Sequence, residues 1–273
     1  MIKPYLLCAC MAVLLVCAAM TAAVAATGAP RAARAVAITT GESPGQPSVA
    51  VDPREGFVVT WQQQEGAGHA LYFAVLDGEG RERRRGRIAS GTNWFVNWAD
   101  FPSLAVLDNG DWVTHWLERN GENPHGYDIR LVRSRDAGRS WDPPVSPHDD
   151  GTPVQHGFVS LVPRGGDRVL AVWLDGRHGV AATGAAGDHS GHEHDDTMSL
   201  RTAVLSRNGR VQDALEIDAS TCSCCQTDAV RIAGRTIVAY RDRTPEEIRD
   251  IAILERDRRG AWTQPQVLHD DGW

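Results

Sequence analysis

A short strand-like run that ends in a large aromatic residue occurs four times along the chain, and this repeat constrains the fold more than any other feature. Each copy follows another strand-like run and precedes a third, and a turn rich in Asp, Gly and Asn then leads to a shorter fourth run. The four copies are residues 57–61, 112–116, 169–173 and 236–240. Four strands per unit, repeated every roughly 50 to 70 residues, are typical of β-propeller blades arranged around an axis. The sequence therefore predicts an all-β propeller with four visible blades.

A β-sandwich is the main alternative, because sandwiches are also built from short alternating strands. It does not account for the same order of strand, aromatic residue, strand and turn recurring along the chain. The predicted blades span 47–273, and the sequence stops at Asp271-Gly272-Trp273, where a further blade is expected to begin. Propellers contain about 4 to 8 blades, and blades of this type more often come in sixes. We therefore expect a truncated six-bladed ring.

The N-terminus has the three parts of a secretory signal. Lys3 supplies the positive charge, residues 6–20 are almost wholly apolar, and Ala23-Val24-Ala25 offers a small-x-small cleavage site. A membrane-spanning helix would need a run of roughly 20 apolar residues, and a lipid anchor on Cys17 would follow a bulky valine. We predict a signal peptide over 1–26, a flexible segment over 27–46, and a periplasmic or secreted mature chain without a membrane span.

The charge balance bears on possible partners. The 273 residues include 28 Lys and Arg against 35 Asp and Glu, which gives a formal net charge of -7. A negative surface repels the phosphate backbone of nucleic acids. We therefore expect no nucleic-acid partner, and the candidate partners are an unidentified ligand, a glycan or another exported protein.

One turn carries a specific signature. Residues 134–141 read Ser-Arg-Asp-Ala-Gly-Arg-Ser-Trp and fit the pattern Ser-x-Asp-x-Gly-x-x-Trp. This pattern resembles the Asp-box, or BNR repeat, of sialidase-like propellers, in which Asp accepts backbone donors, Gly permits the bend and Trp packs on the blade. The predicted structural residues are Ser134, Asp136, Gly138 and Trp141. The resemblance implies a fold, with this turn opposite the usual ligand face, and does not report catalysis.

The same resemblance implies a set of catalytic candidates. Sialidases remove terminal sialic acid with an arginine triad, a tyrosine nucleophile assisted by glutamate, and an aspartate acid/base. The candidates here are Asp100, Tyr240, Arg177 and Arg241. The early Arg-Ile-Pro motif of the family is absent from the first blade, so the first arginine of the triad has no counterpart. The alternatives are that Asp100 caps a turn and that the arginines pair with neighbouring carboxylates such as Asp175 and Asp242.

Three cysteines remain after the predicted signal peptide, namely Cys222, Cys224 and Cys225. An odd number of cysteines in an exported chain cannot be satisfied by intrachain disulfides alone. An insertion over 176–197 carries His189, His192 and His194, and strand alternation predicts that it lies on the same face as the cysteines, Asp100 and His156. Thiolate and imidazole ligands suit Cu(I) and Zn(II). The alternatives are one disulfide plus a thiol, a bridge to a cysteine in the segment expected to be missing, buried free thiols, and a solvated insertion without function.

These observations lead to one main hypothesis and two alternatives. We expect an exported, sialidase-like β-propeller that binds a ligand or a transition metal, copper or zinc, through its Cys/His-rich face, without a complete sialidase site. The first alternative is a glycoside hydrolase of the exo-sialidase type. The second is a scaffold whose propeller face binds another exported protein.

Overall fold

The computed structural model of the chain describes residues 33–179 and 198–270. Residues 38–273 form one compact unit, and its described part contains four antiparallel sheets. Residues 1–37 form a second unit, of which the described residues 33–37 have no regular secondary structure. The predicted signal peptide lies outside the described residues. Within the described ranges, no helix has the length and apolarity needed to span a membrane.

Each sheet is a meander of consecutive strands. The first contains β1 (Gly45–Asp52), β2 (Gly56–Glu65), β3 (Gly68–Leu76) and β4 (Glu82–Gly91). The second contains β5 (Leu104–Val106), β6 (Trp112–Arg119) and β7 (Tyr127–Ser134). The third contains β8 (His156–Pro163), β9 (Val169–Asp175), β10 (Met198–Leu205) and β11 (Val211–Thr221). The fourth contains β12 (Asp228–Ile232), β13 (Arg235–Arg241), β14 (Ile251–Arg256) and β15 (Gln266–His269).

The second sheet departs from the predicted four strands. Its fourth strand is reduced to a single bridge between Leu131 and Val145. The two residues exchange backbone hydrogen bonds, with N···O distances of 2.7 and 2.8 Å. Pro143 and Pro144 come directly before the bridge, and proline has no N–H to donate to a strand ladder. The prolines therefore confine the pairing with β7 to a single point.

The four sheets follow one another as blades. The first strands pack in series, with β1 against β5, β5 against β8 and β8 against β12, as expected for innermost strands around an axis. Apolar side chains fill the space between successive sheets in three clusters. Phe73 of the first sheet and Trp112 of the second, for example, meet edge to face with ring centroids 5.5 Å apart. The predicted all-β propeller with four blades is therefore confirmed.

The turn over 134–141 has the hydrogen bonds that its sequence predicts. The Ser134 hydroxyl accepts from the backbone N–H of Gly138 at 2.7 Å, and Asp136 Oδ1 accepts from the backbone N–H of Ser140 at 2.8 Å. Hydrogen bonds from the Ser140 side chain and backbone lower the pKa of Asp136 to about 2. Gly138 has φ = 85°, a left-handed conformation that favours glycine. The turn follows β7, so it lies at the opposite end of that strand from the β6–β7 connection. Its assignment as a BNR repeat stays a prediction.

Candidate metal centre

The three cysteines lie in the short connection between β11 and β12, and this loop is anchored on both sides. The backbone N–H of Cys222 donates to the carbonyl of Arg241 at 3.0 Å. The Thr227 hydroxyl donates to the carbonyl of Phe158 at 2.7 Å, and the Ser160 hydroxyl donates to the carbonyl of Thr227 at 2.9 Å. The loop is therefore tied to β13 on one side and to β8 on the other.

This anchoring brings the three sulfur atoms together. Cys222 Sγ lies 3.5 Å from Cys224 Sγ and 3.3 Å from Cys225 Sγ, and the latter two are 4.0 Å apart. A metal ion about 2.3 Å from each of three thiolates would separate the sulfurs by about 3.8 Å in a tetrahedral arrangement and about 4.0 Å in a plane. A disulfide requires about 2.05 Å. The sulfur triangle is therefore close to the size that a shared metal ion requires.

The three thiols differ in pKa, and Cys222 forms a thiolate most readily. Burial by itself raises the pKa of Cys222, but the Cys224 backbone N–H, the two neighbouring thiols and the Arg249 guanidinium together lower it. Burial, with the hydrogen bond to Cys222, raises the pKa of Cys225 to about 12. The cluster thus holds one negative charge readily and resists a second. A bound cation would supply the charge that deprotonates the remaining thiols.

The thiols are also accessible from one side. Cys222 is buried, Cys225 is half-buried and Cys224 is exposed. A cavity of about 170 Å³ adjoins Cys225 and Gln226 and continues to Tyr240 and Arg241. A small ligand or ion can therefore approach the cluster along the edge of the fourth sheet.

Within the described residues, no histidine joins the three thiols in a group that could hold a metal ion. The converging side chains at this loop are the three thiols alone in the part of the chain that the structure describes. His189, His192 and His194 lie outside the described residues. Their segment ends at Met198, whose carbonyl accepts from the Thr221 hydroxyl at 2.9 Å. The insertion and the cysteine loop therefore meet the third sheet at the same end.

His156 belongs to a different cluster from the thiols. It begins β8 and is paired in register with Asp175 of β9. Its Nδ1 lies 3.1 Å from the carbonyl oxygen of Tyr127, and its Nε2 lies 3.2 Å from Asp150 Oδ1. The His148 ring stacks on it with centroids 3.8 Å apart. His156 therefore contacts the second sheet through the Tyr127 carbonyl and lies beside the Asp150 carboxylate instead of the thiols.

Arg177 neutralises part of this second cluster. Its guanidinium donates to both carboxylate oxygens of Asp175 at 2.7 Å and lies 3.2 Å from Asp150. Burial raises the pKa of Asp150, but the Thr152 hydroxyl, His156 and Arg177 outweigh it and bring the value to about 2. The sequence carries one signal for this network, the short spacing from Asp175 to Arg177. Nothing in the sequence points to Asp150 or His148 as members.

The remaining catalytic candidates are held by structural hydrogen bonds. Asp100 Oδ1 accepts from the backbone N–H of Phe158, and Oδ2 accepts from Asn97 at 3.1 Å. The Tyr240 hydroxyl donates to Asp218, and burial together with this carboxylate raises the Tyr240 pKa. Arg177 is paired as described above, and the structure places Arg241 beside the cysteine loop through its carbonyl. The catalytic roles of these four residues stay predictions.

We expect Asp100→Asn to remove a pH-dependent loss of stability. Burial raises the Asp100 pKa to about 6, above the usual 3.8, against the opposing hydrogen bonds from Phe158 and Asn97. Since the folded state holds the proton more tightly, this group costs stability as pH rises from about 4 to 6, by about 2–3 kcal/mol in total. As the pH rises from about 4 to 6, the free energy of unfolding measured by urea titration should therefore increase for the variant relative to the parent. A difference that does not change with pH would contradict the assignment.

Comparison with known proteins supports the fold. No protein-family model matches the sequence, and no curated protein matches it. Among solved structures, a Hadza microbial sialidase matches with 15% identity and a TM-score of 0.55, over 84% of this chain and 46% of that one. An α-L-arabinofuranosidase from Lactobacillus brevis matches with 10% identity and a TM-score of 0.51, over 81% of this chain and 71% of that one. A Dyadobacter fermentans protein of unknown function matches with 12% identity and a TM-score of 0.50, over 77% and 52%.

The fold is that of a β-propeller, which this chain shares with the sialidase and the arabinofuranosidase. This chain spans about half the length of the sialidase and of the Dyadobacter fermentans protein. At these identities the likeness concerns the arrangement of the blades alone. The function of this propeller therefore depends on its own side chains.

Proposed function

We propose that this chain is an exported sialidase-like propeller that binds one Cu(I) or Zn(II) ion through Cys222, Cys224 and Cys225. The observation that carries the proposal is the sulfur triangle, in which every pair of sulfurs lies within 4.0 Å. Export rests on the signal-like N-terminal sequence and is part of the proposal. The hydrolase and scaffold alternatives stay predictions.

The ligand set selects the class of metal. Thiolate sulfur favours Cu(I) and Zn(II), whereas Ca²⁺ and Mg²⁺ require oxygen ligands. Three thiolates satisfy a trigonal Cu(I) ion and leave one open position on a tetrahedral Zn(II) ion. The cavity beside Cys225 and Gln226 gives that open position room for a water molecule or a small ligand. The site would then combine metal binding with access from the solvent.

The surroundings favour a bound cation in chemical terms. Three thiolates would carry three negative charges, and the nearby Arg249 guanidinium offsets one of them. A monovalent or divalent cation would offset much of the remainder and replace the hydrogen bonds between the sulfurs. The anchored loop would hold the ligands in place before the metal arrives, which limits the conformational entropy lost on binding.

We expect one equivalent of Cu(I) or Zn(II) per chain when the mature protein is reduced, loaded anaerobically and analysed for metal. The three thiols should then be protected from a thiol-reactive reagent until a chelator is added. A matched variant with His189, His192 and His194 changed to alanine should keep the metal, because the thiols carry the site. Three freely reactive thiols, or a mapped disulfide, in protein prepared with metal would contradict the proposal.

A further inference from the structure

The shortened second blade leaves a cavity at the end of the propeller that carries the turn over 134–141. The cavity has a volume of about 330 Å³ and lies between the second and third sheets. It borders the β10–β11 turn, whereas the cysteine loop follows the other end of β11. Its apolar wall is formed by buried side chains of both sheets, Val113, Leu131, Val169 and Leu205. The single bridge at Val145, in place of a full fourth strand, accounts for the unfilled space.

Arginines line the same cavity with more positive than negative charge. Arg135 pairs with Asp142 at 2.9 Å, so that pair is neutral. Arg133 and Arg207 both face Asp111 Oδ2, at 3.0 and 3.5 Å. The Asp111 carboxylate therefore pairs with two guanidinium groups. The three arginines carry three positive charges against the two negative charges of Asp111 and Asp142, so one positive charge is in excess.

The two guanidinium groups around Asp111 differ in exposure. The Arg133 side chain is 8% exposed and the Asp111 side chain is 4% exposed, so this close pair is buried behind the cavity. The Arg207 side chain is 49% exposed and makes only the longer contact. Arg207 therefore presents the surplus charge where the cavity opens to solvent.

We propose that this cavity binds a small amphipathic organic acid, with an apolar ring or short chain and one carboxylate or sulfonate group. The apolar part would be buried against the wall formed by both sheets, as in most small-molecule sites. The acid group would meet Arg207 through a charge-assisted hydrogen bond. The volume suits a ligand of one to three rings at the small end of known pockets. This site is independent of the metal proposal.

The dye 1-anilinonaphthalene-8-sulfonate serves as the probe, because it joins an apolar ring system to one sulfonate. We expect a saturable fluorescence signal with one site per chain, and Arg207→Ala should weaken binding by about tenfold. Arg210→Ala is the matched control, since it removes one exposed positive charge from the same turn without lining the cavity. The control should change the affinity less than about twofold, because a screened charge outside the site contributes little.

A second variant tests the apolar half of the site. Val145→Phe places a larger side chain in the cavity, and it should abolish the arginine-dependent signal while the circular dichroism spectrum stays unchanged. Dye that binds to exposed valines elsewhere, such as Val230 and Val267, should respond to neither Arg207→Ala nor Val145→Phe. Equal affinities for the two arginine variants would overturn the proposal, and so would unchanged binding to a folded Val145→Phe protein.

Discussion

Replacing Cys222 by serine is expected to lower the affinity for Cu(I) or Zn(II) by at least about 100-fold. Cys222 lies closest to the other two sulfurs, and its lowered pKa makes it the thiol that most readily supplies a thiolate. Serine keeps the size of the side chain but offers a hard, protonated oxygen in place of a soft sulfur. Competition against a chromophoric chelator under anaerobic conditions measures the change.

The neighbouring Ser223→Ala variant is the control for the Cys222 experiment. Ser223 lies between Cys222 and Cys224 in the same turn and carries a hydroxyl group instead of a thiol. The metal affinity of the Ser223→Ala variant should stay within about threefold of that of the parent, because the three sulfurs remain. If Cys222→Ser and Ser223→Ala bind metal equally well, the metal is held elsewhere and the thiol site is wrong.

Arg177→Met is expected to lower the free energy of unfolding by about 3–5 kcal/mol. Methionine fills part of the volume but leaves the fully buried Asp175 carboxylate without its two-point partner. It also removes a positive charge 3.2 Å from Asp150. Breaking a buried ion pair by removing one partner is costly, because the other charge stays buried and uncompensated. Urea unfolding followed by tryptophan fluorescence measures the loss.

Arg87→Met provides the matched control for this stability prediction. Arg87 pairs with Glu65 at 3.1 Å, and both side chains are at least 40% exposed. Exposed pairs of this kind contribute about 0–1 kcal/mol. A loss below about 1 kcal/mol for Arg177→Met, similar to this control, would show that Asp175 is solvated or protonated in the folded state.

Much of the fold was predictable because each blade repeats the same local sequence pattern. The strand that contains Trp61, Trp116, Trp173 or Tyr240 recurs in each sheet, and its period identifies a blade before any contact is known. The exception is the second blade, where Pro143 and Pro144 interrupt pairing. The prolines were visible in the sequence, but the cavity that results depends on how the third sheet packs beside them.

The candidate site was predictable only in part. The close spacing of Cys222, Cys224 and Cys225 made a shared sulfur site foreseeable, and strand alternation placed their loop at one end of the sheet. The environment of His156 was not foreseeable, because its partners Asp150 and Asp175 come from other segments. Sequence spacing reports proximity along the chain, whereas the side-chain direction depends on register, here the pairing of β8 with β9.

X-ray absorption spectroscopy of the metal-loaded protein tests the central claim most directly. If the three cysteines hold the ion, the first coordination shell contains three sulfur atoms at about 2.3 Å, and Cys222→Ser removes one or more of them. A shell of nitrogen and oxygen atoms alone at about 2.0–2.1 Å would contradict the claim and would assign the ion to imidazole or carboxylate ligands instead.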